Sequence, residues 1–252
     1  NFNYNDRPRG YSDSYRENYE SDTEKYLESN SSSKSKGKFQ YGNLEGSYEI
    51  DTLRLLTVAF GMYGSNSKNY GDGFTTMYGA DHEDIAYSYR TGNHGDGSWY
   101  SINGNIDYQR TSRKNKQRMI TFSYKINTQP QTSNSNTGYE DIHAKEEVDD
   151  LVKRLLLKNS QSDGKTNTME QTFQVDYTTP IGELHTVEAG AKYIFRRNTS
   201  DNKLYEAAGG SDDYLYNEDR SSDYRHLNHI LAAYLGYTLK YKDFTFKPGV
   251  RY

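Results

Sequence analysis

The segment Gln171–Arg197, with the sequence QTFQVDYTTPIGELHTVEAGAKYIFRR, decides the fold because both of its arms alternate apolar and polar residues. In the first arm one face carries Phe173, Val175, Tyr177 and Thr179. In the second arm one face carries Val187, Ala189, Ala191, Tyr193 and Phe195. Successive side chains of a strand point to opposite faces, so the two arms and the turn Pro180–Glu183 predict a hairpin with one apolar and one charged face.

The same alternation returns along the chain. It is clear in residues 39–50, 53–64, 98–111, 118–128, 227–241 and 244–252, and weaker in 74–79 and 85–90, which are joined through Ala80–Asp84. The connections are alternately short, at 51–52, 113–117, 180–184 and 242–243, and long, at 65–73, 91–97, 129–168 and 198–226. Outer-membrane barrels alternate short periplasmic turns with long extracellular loops, so we predict an all-β, antiparallel up-and-down transmembrane β-barrel wall of about ten or eleven strands.

The composition agrees with a barrel wall better than with a soluble core. Only 33% of the residues are hydrophobic and the mean hydropathy is -1.08, yet 14% are aromatic and 26 are Tyr. Low hydropathy is typical of disorder, but disordered chains are poor in aromatic residues. A barrel strand needs only one apolar face over about 9–11 residues, which resolves the conflict.

Charge and cysteine content restrict the partners and the compartment. The formal net charge is -4 with both signs mixed, so the basic stripe typical of nucleic-acid binding is missing. The chain has no cysteine, which agrees with an oxidising envelope compartment. It has no signal peptide and begins with Asn1, so we expect a mature chain or a fragment of a larger barrel protein in the bacterial outer membrane.

Two regions follow from this pattern. Residues 1–38 are predicted as a polar extracellular loop or strand end, and residues 39–252 as barrel strands with long loops at 129–168 and 198–226. Within the first loop, Glu146–Leu156 has helical spacing of apolar residues, with acids early and bases late, which predicts a short amphipathic helix. This helix would act as a lid or partner-docking element, or fold onto its own loops; a strand beginning at Leu155 is the other alternative.

Charged residues on the polar face are the first candidate functional set, because charges facing lipid are costly and are expected to line the lumen. They are Glu45, Glu49, Asp107, Lys125, Glu188, Lys192, Arg196 and Lys240. They would contact a plug or solute, or form an ion-paired ladder between strands. Aromatic residues near segment ends are the candidates for the two interfacial girdles. They are Tyr48, Tyr63, Trp99, Tyr100, Tyr108, Tyr177, Phe195, Tyr241 and Phe244.

Catalytic and metal chemistry has little support in the sequence. The acidic stretch 209–219 lacks the spacing of a calcium loop, and His226 and His229 would point to opposite faces of a strand. No set of Ser, His and Asp can be selected as a nucleophilic triad. We therefore expect no enzymatic activity, no metal and no cofactor.

Several strands resemble those of TonB-dependent-receptor-like outer-membrane proteins. The resemblance lies in FQVDYTTP at 173–180, EAGAKY at 188–193, SINGNIDYQR at 101–110 and FKPGVRY at 246–252, and it covers most of residues 39–252. It implies a wall that is part of a barrel of about twenty-two strands. It also implies a plug domain and TonB machinery as partners beside the membrane lipid, leaves room for a surface lipoprotein, and predicts nutrient uptake. The plug and the TonB-engaging segment are not in this sequence.

Two other functions are also compatible with the sequence. The first is a surface binding or adhesion barrel, in which the long polar loops are the working part and nothing passes through. The second is a soluble carbohydrate-binding β-sandwich, in which two apolar faces would pack on each other. The sandwich differs from a membrane barrel in that its apolar faces would be covered by protein.

Overall fold

The computed structural model describes residues 1–20, 25–79 and 81–252. These residues form eleven strands and one helix. The elements are β1 Phe2–Glu20, β2 Lys25–Asp51, β3 Arg54–Tyr78, β4 Ile85–Thr111, β5 Met119–Ala144, α1 Val148–Leu155, β6 Lys158–Ile181, β7 His185–Ala208, β8 Leu215–Tyr216, β9 Ser222–Tyr241, β10 Phe244–Phe246 and β11 Gly249–Arg251.

All of these strands belong to one antiparallel sheet. Its order is β1-β2-β3-β4-β5-β6-β7-β9-β10, with the two-residue β8 paired to β7 and β11 paired to β9. β10 and β11 together follow one line along β9, interrupted at Pro248. The predicted all-β, up-and-down architecture is confirmed. The sheet is open, with β1 at one edge and β10 and β11 at the other.

The short turns all lie at one end of the sheet. They are residues 52–53, 112–118, 182–184 and 242–243. At the turn between β2 and β3, the Asp51 carboxylate accepts a hydrogen bond from the Leu53 amide at 2.9 Å and pairs with Arg54 at 2.7 Å. The turn after β6 begins with Gly182, whose φ of 66° favours glycine, so it lies slightly later than the predicted Pro180–Glu183.

The pairing register places every predicted apolar face on the same side of the sheet. One row across the strands runs from Tyr48 through Leu56, Tyr108, Phe122, Val175 and Ala191 to Ala233. We call this side the apolar face and the other side the polar face. Because directly paired residues share a face, seven separately predicted stripes become one continuous surface.

Within the described residues, the apolar face is not covered by protein. Leu44 is 71% exposed, Phe60 47% and Leu231 75%, and no second sheet packs on them within the described part of the chain. A soluble sandwich would bury these side chains, so that alternative is wrong. None of the described helices is long and apolar enough to cross a membrane.

The four predicted long connections are mostly strand. Residues 65–73 and 91–97 are strand, and most of 129–168 and 198–226 belongs to β5, β6, β7 and β9. Of the two alternatives for residues 1–38, the strand end agrees with the structure and the loop does not, since β1 and the first part of β2 lie there. Residues 21–24 of that region, and residue 80 of the predicted connection Ala80–Asp84, lie outside the described residues. These polar stretches are strands because their backbone groups pair with a neighbouring strand. The alternation of apolar and polar residues in a sequence does not reveal this pairing.

Adjacent residues of β6 test the assignment of the two faces. Val175 lies on the apolar face and Gln174 on the polar face. We expect Val175→Lys to lower the free energy of unfolding in phospholipid vesicles by about 2–4 kcal/mol, because the charge enters lipid near the midplane. Gln174→Lys adds the same charge on the other side and should cost much less. Urea titrations of both variants measure this, and equal losses would contradict the assignment.

Candidate functional site

The eight predicted charged residues all lie on the polar face. For example, Asp107 lies between Thr57 and Ser123, and Lys125 pairs with Thr172. Glu188 pairs with Thr178 and Lys192 with Gln174. The register therefore places this set on one side of the wall. That this side borders a lumen stays a prediction.

The predicted ion-paired ladder is present only in part. Arg196 pairs with Glu170 at 2.5 Å and Glu188 with Lys247 at 3.0 Å. Asp107 accepts a hydrogen bond from Asn105 on its own strand. The other five charged residues make no ion pair within the described ranges: Glu45, Glu49, Lys125, Lys192 and Lys240. Most of these charges are thus available to a solute or a further protein segment.

A recess of about 600 Å³ lies on the polar face near the β7, β9 and β11 strands. We call it the polar recess; its lining includes Gln174, Glu188, Lys192, Tyr234, Lys247 and Arg251. Its charges have both signs, and Lys192 and Arg251 are without an ion-pair partner among the described residues. The recess can therefore receive a polar group by hydrogen bonds and charge, and its lining contains no metal-binding cluster.

The floor of the polar recess is fixed by a tyrosine that crosses a glycine. Tyr234 on β9 reaches over Gly190 on β7 and donates a hydrogen bond of 2.5 Å to Asp176 on β6. The other Asp176 oxygen accepts from Gln174 at 2.8 Å. A Cβ at Gly190 would lie 2.3 Å from the Tyr234 ring, so only glycine leaves room for this bridge over three strands.

The girdle prediction is wrong for Tyr63 and Trp99. Both lie on the polar face, where their rings meet edge-on with centroids 5.8 Å apart. Both residues stand near segment ends, but nearness to an end does not determine which face a side chain occupies. The remaining seven lie on the apolar face: Tyr48, Tyr100, Tyr108, Tyr177, Phe195, Tyr241 and Phe244.

Tyr63 and Trp99 form a second candidate surface together with Tyr41, which is paired directly with Tyr63. Their exposures are 40% for Tyr41, 40% for Tyr63 and 43% for Trp99. Exposed rings on an otherwise polar face can stack on a planar or ring-shaped solute. Sequence reasoning missed this surface, although the odd-numbered positions of Tyr63 and Trp99 in their strands were a sufficient signal.

The end of the sheet opposite the short turns carries a small packed cap. The helix α1 confirms the predicted helix at Glu146–Leu156, and it buries Leu151 completely and Val152 to 7% exposure. With Leu157, Ala207 and Tyr87 these are the buried hydrophobic residues of the described chain. Because the buried side of α1 faces the strands, the helix is folded onto its own connection.

A carboxylate ties this cap to the β7–β9 connection. Glu206 is 11% exposed and contacts Asn217 at 2.6 Å, Arg220 at 2.7 Å and Lys158 at 3.3 Å. The Asn217 hydrogen bond, followed by the two cations, holds the pKa of Glu206 below its ordinary value. Glu206 thus remains ionised at neutral pH and joins β6, β7 and the connection.

The described histidines and acidic residues do not assemble a metal site. His226 and His229 lie on opposite faces of β9, since they pair with Asn198 and Phe195. No group of three metal-ligating side chains occurs within residues 1–20, 25–79 and 81–252.

Comparison with known families agrees with this geometry. The sequence model of the outer membrane protein beta-barrel family matches residues 110–252, more than half of the chain. An uncovered apolar face over paired antiparallel strands defines a membrane barrel wall, and the chain belongs to the outer membrane protein beta-barrel family. Its location is therefore the bacterial outer membrane. No curated protein matches the chain.

A substitution at Gly190 tests whether the crossing Tyr234 side chain stabilises the sheet. We expect Gly190→Ala to lower the free energy of unfolding by about 1–3 kcal/mol, because the new methyl displaces the Tyr234 ring. Gly46→Ala is the matched control, since a Cβ there meets nothing within 4 Å. Urea unfolding of both variants in detergent measures the difference. The proposed role of the crossing fails if the two glycines tolerate alanine equally.

Glu206 lies outside the membrane, and its lowered pKa predicts that local stability depends on pH. A carboxyl with a lowered folded pKa stabilises the fold above its unfolded pKa, about 4.3, and this contribution disappears as pH falls through the folded pKa. We expect the protection of the backbone amides of residues 209–221 against hydrogen exchange to fall as the pH is lowered below about 4.3. Glu206→Gln should lower protection at neutral pH roughly fivefold and remove the acid dependence.

Hydrogen exchange, corrected for the intrinsic pH dependence of exchange, measures this protection. Glu218→Gln is the control in the same connection, because the Glu218 side chain makes no hydrogen bond or ion pair within the described residues. An equal effect of both substitutions would show that general acid sensitivity, not the Glu206 cluster, opens the connection.

Proposed function

We propose that the chain is part of the wall of a TonB-dependent-receptor-like transporter that takes up a nutrient through the outer membrane. The observation that carries this proposal is the polar face, which combines unpaired charges, the polar recess and the exposed rings of Tyr41, Tyr63 and Trp99. A wall that only anchors a protein in lipid has no need for such binding surfaces on its inner side.

The size of the sheet supports a barrel larger than this chain. Backbone groups at an open sheet edge cannot remain unpaired in lipid. The sheet order from β1 to β10 contains nine antiparallel strands, so its two edges run in the same direction and an antiparallel barrel needs at least one further strand between them. Large outer-membrane barrels of about 22 strands have a lumen wide enough for a plug. A plug domain, the TonB machinery and a surface lipoprotein are the partners in this proposal.

A second candidate function, a surface binding or adhesion barrel, is favoured by the strand extensions. β3, β4 and β5 have 25, 27 and 26 residues, whereas about 9–11 residues cross a membrane. Each strand therefore continues far beyond the apolar face. This surplus is as suitable for attachment to an external partner as for the capture of a solute.

Growth of cells carrying the intact protein distinguishes the two functions. We expect deletion of its gene to abolish growth on one class of bulky nutrient, within a panel of metal chelates, oligosaccharides and peptides. A protonophore should block uptake of the same class. Undiminished growth on every nutrient, together with lost surface attachment, would overturn the transport proposal and support adhesion.

Substitutions on the polar face make the test specific to this chain. Trp99→Ala with Tyr63→Ala should reduce uptake of that nutrient at least tenfold while the barrel still assembles. Tyr100→Ala and Tyr108→Ala remove rings on the apolar face and serve as the matched pair. If the second pair impairs uptake as much as the first at equal protein levels, the polar-face rings have no special role.

A further inference from the structure

A group of lysines lies on the apolar side of the sheet, just beyond the point where its apolar residues end. On β2 the apolar face extends to Gly42, and Lys38 and Lys36 follow on the same side. On β3 it extends to Met62, and Lys68 follows on that side. Lys38 is four residues beyond Gly42, about 13 Å along the strand.

The pairing brings like charges together. Lys36 is directly opposite Lys68, and Lys68 is in turn opposite Asp96 on β4, so one carboxylate partly offsets the two ammonium groups. Both side chains are exposed, and neither forms an ion pair within the described residues. Their charge is therefore available to an external ligand.

The lysines border a cavity rather than a flat surface. A recess of about 750 Å³ is lined by Arg9, Lys36, Lys38, Lys68, Asp6 and Asp96 together with neighbouring small residues. Asp6 is directly opposite Lys38 and Asp96 is directly opposite Lys68, and Asp96 is also contacted by His94 at 3.8 Å and Asn134 at 3.3 Å. The recess thus holds four cations and two carboxylates, an excess of two positive charges.

Aromatic residues mark the level of this recess. Tyr4 and Tyr100 occupy the row immediately below Lys38 on the same side, and the Lys38 ammonium lies 5.9 Å from the Tyr4 ring centroid. The Tyr4 phenol, and after it Asp6, raises the pKa of Lys38, which keeps it charged. Rings followed by cations are the order expected where hydrocarbon gives way to headgroups.

We propose that this recess binds the phosphate groups of a phosphorylated glycolipid in the outer leaflet of the membrane. The short turns lie at the opposite end, which is the periplasmic side in outer-membrane barrels, so the recess is at the outer leaflet. Lysine ammonium groups bind phosphate as point charges, and the acyl chains of such a lipid would lie on the apolar face below. The proposal does not depend on whether the barrel transports a nutrient.

Native mass spectrometry of the detergent-solubilised intact protein with bis-phosphorylated lipid A tests the site. We expect the triple variant Lys36→Gln, Lys38→Gln, Lys68→Gln to bind at least tenfold less lipid. The charge-matched control is Lys125→Gln, Lys192→Gln, Lys240→Gln on the polar face, which should bind like the unmodified chain. Equal binding by both triple variants would overturn the proposal.

Two further arms identify the ligand and exclude misfolding. Lipid A without its phosphates should bind at least tenfold more weakly, and inorganic phosphate at equal concentration should not displace the phosphorylated lipid. Equal binding of the dephosphorylated lipid, or displacement by free phosphate, would overturn the assignment to a lipid phosphate. The Lys→Arg variant at all three positions should restore binding, which a folding defect would not allow.

Discussion

Backbone register is the constraint on which the rest of this structure depends. Because side chains alternate with a period of two, a slip of one residue would turn Lys125 and Glu188 toward lipid and Phe122 and Val175 away from it. Each charge placed near the bilayer midplane costs about 2–4 kcal/mol. The charged positions therefore fix the pairing as firmly as the apolar ones do.

The same constraint explains why the sheet has almost no core of its own. Its apolar side chains are directed at lipid, and the buried hydrophobic residues of the described chain lie at the helix-bearing end, around Leu151 and Val152. Stability between the strands comes from backbone pairing and from contacts such as the Tyr234 bridge over Gly190. The cap needs an ordinary core because it lies outside the lipid, in water.

Sequence alone predicted those elements in which lipid imposes alternation. The hairpin of β6 and β7, the face of each charged candidate and the end at which the short turns lie all follow from that pattern. It could not predict residues 65–73 or 91–97 as strands, because both faces there are exposed to water and no alternation is required. Tyr63 and Trp99 differ from the prediction for another reason: position along a strand does not determine the face, which depends on whether the position is odd or even. The polar recess requires three neighbouring strands in register, and its Tyr234–Asp176 bond joins residues 58 positions apart.

The long strands also place the outer end of the sheet far from the charged headgroups of the membrane. β5 continues from Gln129 to Ala144, which raises its tip about 35–40 Å above the apolar face at about 3.3 Å per residue and a tilt of about 45°. Ionic screening at physiological salt reduces electrostatic interactions over about 8 Å. An anionic molecule arriving at the tip is therefore several screening lengths away from the headgroups, and the membrane's negative potential neither repels it nor selects against it there.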